Sequence, residues 1–471
     1  MRMTKGHLKF TILVAVVAVL SGFLLFAQVR SSAPFFTRLS LANSGPLSCT
    51  AGDVLLVVAP HCDDEVFGAG GFIYDAVKQG ARVYVVVVTN GEAFRLLVSR
   101  PNRAPLLGDR RQRETLEALE VLGVPRDHVF FLGYPDRGLE LLWYEHWLPD
   151  IPYFSRLTRR EFTPDTSFRP ESPYCGKSVV ADLEEILRMV RPTLVLTASP
   201  FDTHPDHRAV YNFTMYALEH LRYKDPFFEN TRVFWYLVHW NLWPHGSLTG
   251  PGVKLIPPRE LLVPTIQWQY YFLGKDTVFA KMRAVRKYRS QSAGGYPLSF
   301  VRANELFVEA RKARIPTLFE GITVDGRWDD WGGPNIAFSS PEVRIIRQNG
   351  ARKTSSPFFL AMAKDAECLY LAVHRLSSKK VTYRFHFLPV TPLGSEETYV
   401  DVEVGTGGRK VIVIPSEDKP PGALQYALGD DGLEVAVPLE LLHHAATVFF
   451  RMEVLEGKRI LAETIWKVLT F

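Results

Sequence analysis

Two short stretches of this chain carry residue types that could do chemistry. Pro60-His-Cys-Asp-Asp-Glu65 packs one imidazole and three carboxyls into six positions, and Thr203-His-Pro-Asp-His207 adds two more imidazoles. A catalytic zinc takes three nitrogen or oxygen ligands and keeps one position for water. His61, Asp64 and His207 supply that set. Asp63, adjacent to a ligand but pointing elsewhere, is then free to take a proton from the attacking water. His204 precedes His207 by three residues, a spacing that on a helix puts both rings on one face. It could then face the reacting carbonyl while His207 binds metal. The competing reading is that Asp63, Asp64 and Glu65 merely cap a helix and favour its dipole.

Such residues need elements to aim them. Val54 to Ala59 is a short apolar run that reads as a strand buried on both faces, and Val66 to Lys78 has the spacing of a helix. The first motif therefore occupies a strand-to-helix turn at the carboxyl edge of a parallel sheet, where open α/β folds hold their ligands. The second motif follows another apolar run, Leu194 to Ala198, and Pro205 suits a first helical turn. Two motifs in equivalent positions argue against the capping reading.

At this point the chain resembles the PIG-L/LmbE family of zinc-dependent N-acetyl-sugar deacetylases, whose signature is a His-Pro-Asp-Asp-Glu turn with a distant His-x-x-His. Further stretches line up in order: Thr89-Asn-Gly-Glu92 after the strand Val83 to Val88, Arg111-x-x-Glu114, Val129 to Gly133 running into Asp136, Lys281 to Gln291, and Asn304-Glu305-x-Phe307. The likeness covers roughly Asp53 to Ala310 and implies a Rossmann-like, mostly parallel sheet flanked by helices. It implies one zinc on His61, Asp64 and His207, Asp63 as general base, and His204 polarising the amide carbonyl or protonating a departing group. It also offers Arg111 and Asp136 as sugar contacts, although a structural ion pair or cap explains either residue equally well. Cys62 stands where the family usually has proline. A thiol there could bind metal or oxidise, but packing as a small apolar residue is the expected fate.

Beyond about Arg314 the pattern changes to short alternating or apolar runs with turn-rich gaps, the pattern of an antiparallel β-sandwich. Cys368 to Val373, Thr382 to Phe387, Thr398 to Glu403, Lys410 to Ile414, Leu433 to Val437 and Thr447 to Met452 form the series. Its opening, Ile322 to Trp331, resembles the start of family-9-like carbohydrate-binding modules, which implies glycan contact. Trp328 and Trp331 could stack on sugar rings, yet buried tryptophan is the commoner outcome. A long segment between Asp136 and Val179, with Trp143, Trp147, Tyr153, Phe154 and Tyr174, either walls a cleft or covers the catalytic core.

The N-terminal stretch from Phe10 to Ala27 is apolar and follows Arg2, Lys5 and Lys9. As a helix it covers about 27 Å, enough for a bilayer core. Its flanking charges place the N-terminus inside and the remainder outside the cytoplasm. The expected organisation is a signal anchor over 1–28, preferred to a signal peptide cut near Ala27 because the run is long for one, then a linker over 29–50, a catalytic domain over 51–312 and a sandwich over 315–471. A net charge of +5 spread without blocks over 471 residues gives no nucleic-acid footprint. The first turn also lacks the glycine fingerprint of a dinucleotide-binding fold. The four cysteines show no CxxC pair. The sequence thus points to a membrane-anchored zinc hydrolase acting on an N-acetylglucosamine-type sugar or glycoconjugate. The alternative is an exported glycan-binding protein that kept the fold without catalysis.

Overall fold

A computed structural model describes residues 46–93, 103–244, 250–292, 295–318, 322–331, 336–338, 343–345, 360–374, 381–392, 399–405, 408–414, 424–429 and 432–471. The expected anchor at Phe10 to Ala27 lies outside these residues. Among the described residues no helix is long and apolar enough to cross a membrane.

The first half is built on seven strands: β1 (Val54–Ala59), β2 (Arg82–Thr89), β3 (Val129–Tyr134), β4 (Leu194–Ala198), β5 (Arg232–Tyr236), β6 (Trp268–Phe272) and β7 (Asn304–Glu309). Their order is β3-β2-β1-β4-β5-β7-β6. The first five are parallel, and β7 and β6 close the edge antiparallel. From β1 the chain builds outward to β2 and β3, then returns to build β4 and β5 on the other side. The crevice at this reversal, above the ends of β1 and β4, is the place where such sheets bind ligands.

β1 is buried along its whole length because helices cover both faces. Leu55 and Val57 point to one core, with Val66, Phe67 and Phe72 of α1 (Asp64–Lys78), Leu119 of α2 (Ala104–Val121) and residues of Lys275–Val285. Val54, Leu56 and Val58 point to the other, formed with helices Gly176–Val190 and Pro205–Lys224. Gly68 lets α1 approach the sheet closely, since a Cβ there would stand 2.1 Å from the ring of Tyr236.

The second half forms two antiparallel sheets. One contains Thr382–Val390 and Thr447–Glu456 at its centre; the other contains Cys368–His374 and Gly432–Pro438. Leu369, Leu371 and Val373 from one sheet share a core with Tyr383, Phe385, Phe387 and Phe450 from the other, which is the face-to-face packing of a sandwich. The last strand, Lys467–Thr470, pairs parallel with Ala313–Arg314 at the start of this half.

Alternation along these strands also explains how the halves meet. Phe449, Leu388 and Val390 point away from the sandwich core and join the core of the first half. Trp143 packs edge-on against Trp466 at 5.7 Å and lies 5.9 Å from Phe449. Trp466 Nε1 donates to Tyr144 Oη at 2.7 Å. The aromatic segment after Asp136 is thus mainly core: Trp143, Trp147 and Tyr174 are buried, and Trp143 seals the junction with the sandwich. This decides between the two roles considered for it, with Phe154 left on the surface. Trp331 is buried as well, its Nε1 donating to Glu434 Oε1 at 2.6 Å.

Candidate active site

The turn after β1 is strained at one residue. Asp63 has φ 127° and ψ −28°, a region that a residue with a Cβ occupies only when its surroundings hold it there. Three side chains do so. Glu65 Oε2 accepts the Asp63 N–H at 3.0 Å, and Tyr288 Oη donates to the other oxygen of Glu65. Arg111 Nη2 donates to Asp63 Oδ2 at 2.9 Å and to the carbonyl of Cys62. Arg111 Nη1 reaches Gly91 O at 2.6 Å, and Gly91 has to be glycine there because a Cβ would lie 2.1 Å from that nitrogen. Asp63 occupies the N-cap position of α1 but its side chain makes no cap bond, so capping does not explain the acidic run.

Asp64 opens the helix and turns inward. Its Oδ2 accepts the His61 N–H at 3.0 Å and lies 3.0 Å from His61 Nδ1 and 3.1 Å from His207 Nε2. The two imidazole nitrogens are 3.2 Å apart. Three donor atoms thus form a nearly equilateral triangle. Ligands about 2.0–2.1 Å from a tetrahedral ion stand about 3.3 Å from one another, so the triangle is close to the face of such a site. Each ring also has carboxylates on its far side. Asp202 Oδ2 lies 3.1 Å from His207 Nδ1, and Asp206 Oδ2 and Asp136 Oδ1 lie 3.2 and 3.4 Å from His61 Nε2. Carboxylates in this position fix the orientation of metal-ligating imidazoles and raise their basicity. Donor chemistry, spacing and outer carboxylates all fit a divalent zinc ion.

Electrostatics agree. Burial alone would keep His61 neutral, but Asp136, Asp206 and Asp64 outweigh it and hold its pKa well above the ordinary value. Burial likewise opposes a charge on His207, yet Asp202 and Asp64 raise it to about 9. The carboxylates around the two rings favour a positive charge among these donors. Asp63 behaves oppositely: burial, helped by Asp64 and Glu65 and opposed by Arg111, pushes its pKa well above the carboxylate range. Burial and the neighbouring imidazoles keep His204 neutral.

The structure brings His61, Asp63, Asp64, His204 and His207 into one crevice, with Asp136 and Arg111 around them. His204 is not on a helix face, as its spacing suggested. It is the extended N-cap residue before Pro205, and its N–H is held by Asp202 Oδ1 at 2.8 Å. The ring still meets His61 edge-on at 4.7 Å, and its Nδ1 is buried without a hydrogen-bond partner among the described residues. The guanidinium of Arg111 is turned inward onto Asp63, the ion-pair alternative considered for it. Asp136 accepts the Ala93 N–H at 2.8 Å beside His61. Cys62 is fully buried in the core beside α1, and burial pushes its thiol pKa up.

Sequence reasoning missed several members. Asp202, with His239 beyond β5, backs His207; Asp206 backs His61; Glu65 and Tyr288 hold Asp63. Asp206 and Glu65 stood inside the quoted motifs, whereas the pairing of Tyr288 with Glu65 joins residues 223 positions apart.

Residues 56–218 match the family model described as PIG-L: GlcNAc-PI de-N-acetylase. A 1D-myo-inositol 2-acetamido-2-deoxy-alpha-D-glucopyranoside deacetylase from Kribbella flavida is 33% identical over 175 residues, covering 35% of this chain and 52% of that protein. One of the same name from Kineococcus radiotolerans is 31% identical over 175 residues, covering 35% and 44%. The chain thus spans about half the length of the curated relatives it matches. Among solved structures, N,N'-diacetylchitobiose deacetylase from Pyrococcus horikoshii is similar over 52% of this chain and 72% of that one, with 20% identity and a TM-score of 0.33.

Proposed function

We propose that this chain is a zinc-dependent hydrolase that removes the acetyl group from an N-acetylglucosamine-type sugar or glycoconjugate. The observation that carries the reading is the triangle of His61 Nδ1, Asp64 Oδ2 and His207 Nε2 beside a strained, buried Asp63. The names of the relatives support the substrate class, because both act on a 2-acetamido-2-deoxy-glucopyranoside.

His61, Asp64 and His207 would hold the zinc, which when bound polarises an amide carbonyl and eases deprotonation of water. Asp63 receives the proton of the attacking water. Its raised pKa favours accepting that proton, and Arg111 fixes the carboxylate that does so. His204, neutral and at the same crevice, is suited to steady the carbonyl oxygen or to pass a proton to the departing amine. Burial of the turn keeps bulk water from competing for these hydrogen bonds.

The wider reading adds an anchor at Phe10 to Ala27, a catalytic unit over 51–312 outside the cytoplasm, and a sandwich over 315–471. The hydropathy of the first segment and its basic flank support the anchor. The test is elemental analysis of the purified full chain together with acetate release from an N-acetylglucosaminyl glycoside. A folded chain that stays metal-free after zinc loading, or that binds zinc and releases no acetate from any such glycoside, overturns the proposal.

A further inference from the structure

His239 lies just beyond β5, on a loop that neither motif includes. Its ring stands 4.8 Å from that of His207, nearly edge-on, and 5.6 Å from that of His204. The donor atoms of Asp64, His207 and His239 all lie within 4.8 Å of one another. The backbone N–H of His239 is held by Asp202 Oδ2 at 2.9 Å, the carboxylate that also backs His207. His239 and His207 are therefore positioned by a single group.

Hydrogen bonding decides which nitrogen of His239 carries its proton. Tyr296 Oη lies 2.8 Å from the carbonyl of Val238 and 3.1 Å from His239 Nδ1. A carbonyl only accepts, so the single phenolic proton goes to Val238 O. The contact with His239 is then made by Nδ1–H donating to the tyrosine oxygen. Nε2 is left as a bare lone pair, and no described residue donates to it. Tyr296 also stacks parallel to the imidazole, 5.9 Å between centroids, which limits its rotation. A neutral imidazole, protonated on the nitrogen away from the site and oriented by an outer partner, is how histidine is presented to a metal ion.

We infer that His239 is a fourth metal-binding residue of this site, acting through Nε2 and oriented by Tyr296. The inference rests on the metal-dependent reading above and extends its ligand set. His61, Asp64 and His207 present donors 3.0–3.2 Å apart, and His239 adds a donor within 4.8 Å of those of Asp64 and His207. Four protein donors with one further position make a five-coordinate site, within the range open to catalytic zinc.

The experiment uses cobalt(II) alone as probe on the full chain, read by affinity and by the visible absorption that reports coordination. His239→Gln and His239→Ala are expected to bind at least about tenfold more weakly and to show an altered spectrum. Tyr296→Phe, which removes only the outer partner, is expected to weaken binding by about 10–100-fold with His239 still a ligand. Melting temperatures establish that each variant is folded. If folded His239→Gln binds cobalt with parental affinity and spectrum, the inference is wrong. A parental chain that binds no cobalt or zinc would instead sink the metal-dependent reading itself, so the two failures are distinct.

Discussion

Glu65 holds Asp63 from two residues away, accepting its backbone N–H at 3.0 Å across a φ of 127°. Tyr288 donates to the same carboxyl. Burial raises the pKa of Glu65 to about 7, so it lies near the border of ionisation and depends on that phenol. Removing the phenol should let the turn relax and misaim the base. We expect Tyr288→Phe to lower kcat by about 10–100-fold with zinc content unchanged and KM little altered. Unchanged kcat would show that the clamp does not matter to turnover.

On the proposed reading, Asp63 and Asp64 are neighbours with separable jobs. Asp63→Asn should keep its metal and lose about 10²–10⁴-fold in kcat. Asp64→Asn should lose metal, with activity partly restored by excess zinc. Zinc content and kcat measured on the same preparations check this, and parental turnover by Asp63→Asn would remove it as the base.

The strain itself can be measured. A backbone held at φ 127° stores roughly 1–3 kcal/mol. Asp63→Gly removes that cost together with a buried carboxyl of raised pKa, while losing the Arg111 ion pair. We expect the variant to be inactive yet no less stable than the parent in urea denaturation. A loss of several kcal/mol would mean that the ion pair outweighs the strain.

A pH effect on stability is expected away from the metal ligands. Asp182 is buried and accepts from Tyr134 Oη at 2.8 Å; burial raises its pKa from 3.8 to about 6. A carboxyl raised on folding adds stability that is complete below the unfolded value and lost as pH rises through the folded one. The parent should therefore lose stability between about pH 4 and 6 more steeply than Asp182→Asn. Equal slopes in denaturant titrations at these pH values would refute the assignment.

The junction between the halves gives a further test. Trp466→Ala empties the aromatic contact with Trp143 and should cost roughly 3–5 kcal/mol. Tyr144→Phe deletes one hydrogen bond and should cost roughly 1 kcal/mol. If Trp466→Ala unfolds at the parental denaturant midpoint, the junction contributes nothing to stability.

Much of this molecule can be read from local pattern. The strand Leu194–Ala198 begins and ends where its apolar run does, and six sandwich runs are strands because alternation and turns are local signals. The helix after the first motif starts at Asp64 rather than Val66, since an inward-turned carboxylate adds no apolar periodicity. The metal-site candidates were legible because three of their members lie in two short motifs. His239 and Tyr288 were not, because their meaning lies in which distant residue faces them. The junction was hidden for a related reason. Phe449 and Phe450 are both apolar, and only the tertiary fold shows that one faces each core.

The strand that ends the sequence, Lys467–Thr470, lies beside Ala313–Arg314, where the sandwich begins. First and last strands of this half are thus stitched together, with Trp466, which packs on Trp143 of the first half, immediately before the stitch. Such a module has a fixed bearing rather than the swing of a tethered one. A foreign module joined at Arg314 would lack both this pairing and the Trp143–Trp466 contact, and would hang from the first half by its connection alone.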